Sequence, residues 1–210
     1  MSTKLAKGFT MSDARTKSSK ATKNRAFIYD LVLISVSAAL ITVCSWISIP
    51  IGPVPFTLQT LAILAVMLTT GGRRGTLSVL VYLLMGICGV PVFTGFKGGI
   101  TSFVGPTGGF LVGFVIGALV YWLLERLIFK KLMTNTVRTW IFGFISFLIF
   151  EIVMYVIGVI WFMTVYAAQT GPVGLVTVLG WCVIPFIIPD LIKMVFALII
   201  GERAAKLTKF

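Results

Sequence analysis

The run Trp181-Cys-Val-Ile-Pro-Phe-Ile-Ile-Pro-Asp-Leu-Ile-Lys-Met-Val-Phe-Ala-Leu-Ile-Ile-Gly201 is apolar throughout except for an acid and a base one helical turn apart, Asp190 and Lys193. About 20 residues at 1.5 Å each cross the hydrocarbon core of a bilayer, so the segment reads as a transmembrane helix. A charge held near mid-depth costs about 3 kcal/mol on insertion scales, and such residues pair with each other or serve a ligand or ion. Pro185 and Pro189 just before the pair are expected to interrupt the helix and bend it toward an interior cavity. Two readings stand at this point: a self-neutralising pair that merely tolerates burial, or part of a built site.

Working outward, the composition extends the membrane reading to the whole chain. Of 210 residues 58% are hydrophobic, 11% are charged and none is His, with a mean hydropathy of +1.06. A soluble domain carries roughly 25% charged residues. Long apolar runs occupy residues 27–49, 110–129, 137–166 and 173–200, and two shorter ones, 56–70 and 75–90, flank Gly71-Gly72-Arg73-Arg74. The pattern predicts an all-α integral membrane protein of six transmembrane helices, the second and third forming a short, tightly turned pair. The net charge of +12 is topological and does not indicate nucleic acid. Seven basic residues lie in the first 25, two in the Arg73-Arg74 turn, four at Arg126, Lys130, Lys131 and Arg138, and three at Arg203, Lys206 and Lys209. By the positive-inside rule both termini are cytoplasmic, which agrees with an even helix count. Residues 1–25 read as a flexible basic cytosolic arm attracted to anionic lipid, and 26–210 as one membrane domain. No signal peptide is expected, because the first apolar run exceeds a normal h-region. Cys44, Cys88 and Cys182 fall in helices without His, which gives neither a disulfide framework nor a metal site and points to core packing.

The uncharged irregular segments then collect on the outer side: 49–56, 91–109 and 167–172. The middle one, continued to Phe110, contains six Gly and two Pro in twenty positions. Irregular backbone at membrane depth survives only where it is buried in protein or lines a cavity, so this loop is expected to fold into a pocket. Thr101, Ser102 and Phe103 add chemistry that a plain connector does not need. No phosphate-cradling glycine motif is present. Ile49-Pro-Ile-Gly-Pro-Val-Pro-Phe56 is either a lid, with Phe56 closing over a small molecule, or a rigid interhelical turn. Gln59 just beyond it offers a donor and acceptors.

Glu151 and Tyr155 share a helix face in the fifth span, either as pocket residues or as an internal structural pair. Trp161 either lines the ligand or belongs to the interfacial aromatic belt. Asp190 and Lys193 together supply an acceptor and a donor from one face, which suits a neutral group carrying N–H and C=O, such as a urea or amide. A proton relay would need more titrating groups than Glu151 and Asp190. Ser35, Ala38 and Ala39 permit close helix approach, within the chain or to another subunit. No nucleophile–base constellation or metal set accompanies the acids, so an enzyme is disfavoured, and the uniformly apolar inner half disfavours a channel.

Four stretches carry a resemblance: Ile49-Pro-Ile-Gly-Pro-Val-Pro-Phe-Thr-Leu-Gln-Thr60, Gly89-Val-Pro-Val-Phe-Thr-Gly95, Ser102-Phe-Val-Gly-Pro-Thr-Gly-Gly-Phe110 and Pro189-Asp-Leu-Ile-Lys193. In that order, from about residue 27 to the C-terminus, the chain resembles the BioY family, the biotin-specific S components of energy-coupling factor (ECF) transporters. The resemblance implies a six-helix S-component fold with biotin held near the outer face. It implies that Asp190 and Lys193 bind the ureido ring and that Thr94 and the following glycine loop, Gly98 included, wrap the bicycle. Lys97 stands where some members have Asn, and Leu111 where some have Arg; the change at Lys97 would place an ammonium near the valerate carboxylate. The resemblance further implies a transmembrane coupling subunit and two ATPase subunits as partners, ATP being used by those partners only. It implies no cofactor of the chain's own, and a multi-pass protein of the bacterial cytoplasmic membrane with its site facing outward. Ser35, Ala38 and Ala39 become the candidate docking stripe.

Overall fold

The computed structural model describes residues 11–129 and 136–207, and the fold is helical almost throughout. The first helix, α1 (Met11–Trp46), begins well before the apolar run, so the described part of the basic segment, expected as a flexible arm, continues the first helix. Residues 1–10, Lys130, Lys131 and Lys209 lie outside the described residues. A two-rung antiparallel pair, β1 (Ser48–Ile49) with β2 (Phe56–Thr57), follows in the register Ser48 to Thr57 and Ile49 to Phe56. The prolines between the strands remove N–H donors and leave room for no more than two rungs.

Next come α2 (Gln59–Thr70) and α3 (Gly72–Ile87). Their 12 and 16 residues reach about 18 and 24 Å, short of an approximately 30 Å hydrocarbon core. The turn between them depends on Gly71 at φ 85 and on Gly72, whose N–H donates to Glu125 Oε2 at 2.7 Å. Gly71 has no side chain to cap α3, so a carboxylate from a neighbouring helix does it. The glycine-rich segment 91–109 is irregular as expected, apart from a Phe93–Lys97 bridge and one short helix, α4 (Ile100–Val104).

The remaining elements are α5 (Gly108–Leu124), continued by a π-helical turn over Glu125–Phe129, then α6 (Thr136–Thr170), α7 (Leu175–Cys182) and α8 (Ile184–Leu207). Among the described residues four stretches are long and apolar enough to cross a membrane: Thr22–Trp46, Gly108–Leu127, Val137–Thr170 and Leu175–Ala204. The expected break before the acid–base pair occurs one step earlier than predicted. It falls at Val183, between α7 and α8, while Pro189 sits inside α8. Pro185 is tolerated because first-turn N–H groups have no intrahelical partner in any case, and Pro189, only one turn further, removes a single backbone bond.

The α5–α6 seam is cut to fit by glycines four residues apart on one face of α5. A Cβ at Gly113 would meet the Met154 carbonyl oxygen at 2.9 Å and its Cα at 3.0 Å, and one at Gly117 would meet the Phe150 ring at 2.8 Å. Phe110 from α5 occupies the space that Gly158 leaves on α6. Close backbone approach of this kind is how helices associate where lipid is as apolar as the side chains. Charged groups gather at one end of the bundle: Arg74 pairs with Asp30 at 2.6 Å, Glu125 caps Gly72, and Trp140 Nε1 donates to Glu202 at 2.9 Å. Irregular segments gather at the other end.

Because the atoms facing Gly113 are backbone, Gly113→Ala is expected to lower stability by about 1–3 kcal/mol through overpacking. Gly180, exposed in α7 with nothing within 4 Å of a built Cβ, is the control. Gly180→Ala should stabilise by roughly 0.5–1 kcal/mol. Thermal unfolding of the two variants in detergent checks the opposite signs.

Candidate functional site

At the end carrying the irregular segments lies a cavity of about 690 Å³. The β1–β2 connection (Pro50, Gly52, Pro53, Val54, Pro55) forms one wall, the 93–97 turn and Thr101–Thr107 region a second, α5 and α6 a third through Phe110, Leu111, Phe114, Met154 and Tyr155, and α8 the floor. Asp190 and Lys193 line that floor, each 5% exposed. Lys193 Nζ donates to Asp190 Oδ1 at 2.8 Å and to Thr60 Oγ1 at 3.0 Å, and stands 4.0 Å from the centroid of the Phe56 ring. The Tyr155 hydroxyl donates to Asp190 Oδ2.

This arrangement explains how two charges persist in an apolar bundle. Each carboxylate oxygen of Asp190 has a donor, and the ammonium has a carboxylate, a hydroxyl and an aromatic face. Burial of an ion pair is tolerable only when such extra hydrogen bonds and close geometry offset the lost hydration. Helix periodicity puts the two on one face of α8, three residues apart, and α8 packs along α2 to bring Thr60 beneath the ammonium. Each Asp190 oxygen keeps a further lone pair, so the pair still offers acceptors beside a cation. A neutral group with adjacent N–H and C=O is the complement of that array.

Of the residues singled out from sequence, Gln59, Thr94, Lys97, Thr101, Ser102, Tyr155, Asp190 and Lys193 line the cavity together. Phe56 does not line it; its ring lies against Lys193 and, with centroids 6.3 Å apart, parallel to Phe186, which does. Gly98 and Phe103 stand outside the lining. Gly98 packs where a Cβ would strike the Val90 carbonyl group, so its role is close chain approach. Trp161 is also outside the lining and donates from Nε1 to the Gly105 carbonyl oxygen at 3.0 Å, tying α6 to the glycine loop. Glu151 lies outside the lining, 3% exposed, one helical turn before Tyr155 on α6. Both Glu151 oxygens, Gln59 Nε2 and the Tyr82 hydroxyl are the buried side-chain polar atoms without a hydrogen-bond partner among the described residues.

Leu111, singled out where some family members have Arg, lines the cavity too, whereas sequence reasoning missed Thr60, whose value depends on α2 meeting α8, and Met154 and Phe186 as lining residues. It read Cys182 as core packing; Cys182 is 1% exposed and part of the core, yet it also contributes to the cavity wall. Ser35, Ala38 and Ala39 divide: Ala38 is buried in the core at 1% exposure, while Ser35 and Ala39 face outward. The stripe is therefore narrower than expected, because the helical turn carries position 38 toward α2 and α3. Among the described residues no cluster of His, Cys, Asp and Glu is arranged to hold a metal ion.

Comparison with known proteins places this geometry. The family model described as "BioY family" matches residues 14–210, beginning inside the basic segment. The biotin transporter BioY of Thermotoga maritima is 37% identical over 177 residues, covering 84% of this chain and 96% of that protein. The biotin transporter BioY2 of Lactococcus lactis subsp. cremoris is 38% identical over 175 residues, covering 83% and 88%. A crystal structure of the S-component for biotin from an ECF-type ABC transporter superposes with a TM-score of 0.74 at 29% identity, over 87% of this chain and 94% of that one.

The buried pair yields a stability test. Lys193→Met strands Asp190 as an uncompensated buried carboxylate and is expected to cost about 3–5 kcal/mol, whereas Asp190→Asn with Lys193→Met should recover most of that loss. Unfolding midpoints of the single and double variants check it; equal losses would show that the two charges are not energetically joined.

Proposed function

The chain belongs to the BioY family, and on that premise we propose that it captures biotin in the outer cavity and delivers it for uptake as the substrate-specific subunit of an ATP-driven ECF transporter. The observation that carries the reading is the acid–base pair on the cavity floor. The ureido ring of biotin is a neutral group with two N–H donors and one carbonyl acceptor. Asp190 accepts the N–H groups and Lys193 donates to the carbonyl, so a neutral ligand satisfies both charges without upsetting their balance. Thr60, Tyr155 and Phe56 hold the pair in place, and Thr94, Gln59 and the apolar wall of Phe110, Leu111 and Phe114 enclose the bicycle. Gly98 and Phe103 shape the glycine loop behind it, Trp161 anchors that loop, and Glu151 lies buried behind the wall, where its unpartnered oxygens are available to a polar group of the site.

The protein is a multi-pass membrane protein that binds and performs no chemistry. We take the short α2–α3 pair as membrane-embedded with the four long stretches, giving six spans, with the charged end of the bundle and both termini cytoplasmic and the cavity facing outward. Basic residues on alternate connections support that orientation. Uphill transport draws on partner subunits, a transmembrane coupling protein and two ATPases, and the exposed residues Ser35 and Ala39 on α1 are the surface offered to them.

Titration of the purified protein with biotin, desthiobiotin and lipoate tests ring recognition: the two ureido ligands should bind and lipoate, which shares the acidic tail but lacks the urea, should not. Asp190→Asn and Lys193→Ala should each weaken biotin by about tenfold or more, as expected when one buried charge-assisted hydrogen bond is lost. Lipoate binding as tightly as biotin, or both variants binding normally, would refute the assignment. Separately, Ser35→Trp with Ala39→Trp should abolish co-purification with the coupling subunit while leaving biotin affinity intact; retained assembly would remove α1 as the docking face.

A further inference from the structure

Phe96 is the one non-glycine residue at positive φ among the described residues, at φ 58, in the turn that carries Thr94 and Lys97 into the cavity wall. A bulky aromatic residue in the left-handed region is a strained conformation that persists only where its surroundings over-determine it. Gly95 beside it takes φ 72, and the turn is closed by paired backbone bonds, Phe93 N–H to Lys97 oxygen at 2.9 Å and Lys97 N–H to Phe93 oxygen at 3.2 Å.

The restraint comes from the last turn of α1. The Phe96 ring is stacked on the Trp46 indole, with centroids 4.8 Å apart and planes 29° apart, although Phe96 is otherwise 64% exposed. Trp46 Nε1 donates to the Pro91 carbonyl oxygen at 3.0 Å, and Ser45 Oγ lies 2.6 Å from that of Val92. The 91–97 segment is thus gripped at its start and at its tip by neighbouring residues of one helix end. Ser45, Trp46 and Phe96 do not line the cavity, whereas Phe93, Thr94, Gly95 and Lys97 do. Strain maintained beside a cavity by groups that do not touch it is the signature of positioning.

Lys97 is the side chain with most to gain from being positioned. Lys97 and Lys193 are the cations lining the cavity, and Lys193 is already engaged by Asp190 and Thr60. No ion pair to Lys97 occurs among the described residues. Lys97 is exposed at the cavity mouth, on the side away from the floor. We propose that Trp46, acting through Phe96, is a positioning residue that fixes the 93–97 turn and so holds the Lys97 ammonium where it receives the carboxylate tail of the ligand. The inference rests on the biotin reading above and adds to it the device that reads the acidic tail.

The test compares biotin with biotinamide, which keeps the rings and replaces the carboxylate by a neutral amide. In the full-length protein, Trp46→Ala should weaken biotin by about fivefold and biotinamide by less than about twofold, the size expected for an ion pair partly open to water. Lys97→Ala should produce the same ligand-selective loss, and the two substitutions combined should add little further. Trp46→Phe, which retains a ring to stack but loses the Pro91 hydrogen bond, should keep most of the preference for biotin. Phe96→Gly removes the stacked ring at a position where glycine adopts φ 58 without strain, and it serves as the second variant if Trp46→Ala fails to fold. A merely structural role would weaken both ligands equally, and that result, or an undiminished preference for biotin in Trp46→Ala and Phe96→Gly, overturns the proposal. Wild-type protein that binds neither ligand would instead overturn the biotin reading itself.

Discussion

Everything in this protein is arranged around the difficulty of holding a carboxylate and an ammonium in an apolar interior. At 5% exposure neither Asp190 nor Lys193 can rely on water, and their mutual contact does not by itself offset the lost hydration. The remaining offset comes from three other elements: Thr60 on α2, Tyr155 on α6 and Phe56 on β2. The pair therefore dictates which helices must be neighbours. It requires α2 to run alongside α8, α6 to present a tyrosine at one register, and the proline-rich connection to return Phe56 across the floor.

That requirement explains why the scaffold elsewhere is so plain. The α5–α6 seam is set by glycines facing backbone, which brings the helices close without polar cross-links and fixes the height at which Tyr155 meets Asp190. Gly113 packs against Met154, itself a lining residue, so the seam and the cavity wall share one register. The outer segments are handled differently. The glycine-rich one, 91–109, is tied to neighbouring helices by three side chains: Ser45 to Val92, Trp46 to Pro91 and Trp161 to Gly105. A rigid floor beneath tethered walls admits a ligand and still defines its contacts.

Much of this was legible in the sequence because the membrane makes polar residues conspicuous. Asp190 and Lys193 stand out from their apolar run, and the glycine and proline content of 49–56 and 91–109 announced a cavity wall. What could not be read were quantities that exist only between elements. Thr60 is unremarkable until α2 meets α8. The glycines at 109, 113 and 117 are spaced for a helix face, but they follow a glycine-rich loop and merge with it in composition. Pro189 was expected to break the helix and does not, because its place in the first turns of α8 leaves few bonds to lose. Ala38 and Ala39 look alike in sequence, yet one helical step of 100° buries the first and exposes the second.

The half of the bundle between the cavity floor and the charged end supplies the last step of reasoning. It is filled by close-packed apolar and aromatic groups, with Tyr121 stacked on Phe147, and with Phe150 and Ile63, Leu64 and Met67 of α2 fully buried among them. Among the described residues that packing leaves no polar path from the cavity floor to the charged end, and opening one would leave voids that cost of order kilocalories each. Passage through the closed bundle is thus costly. The same dense packing that lets a small helical protein hold a buried ion pair prevents it from acting as a channel.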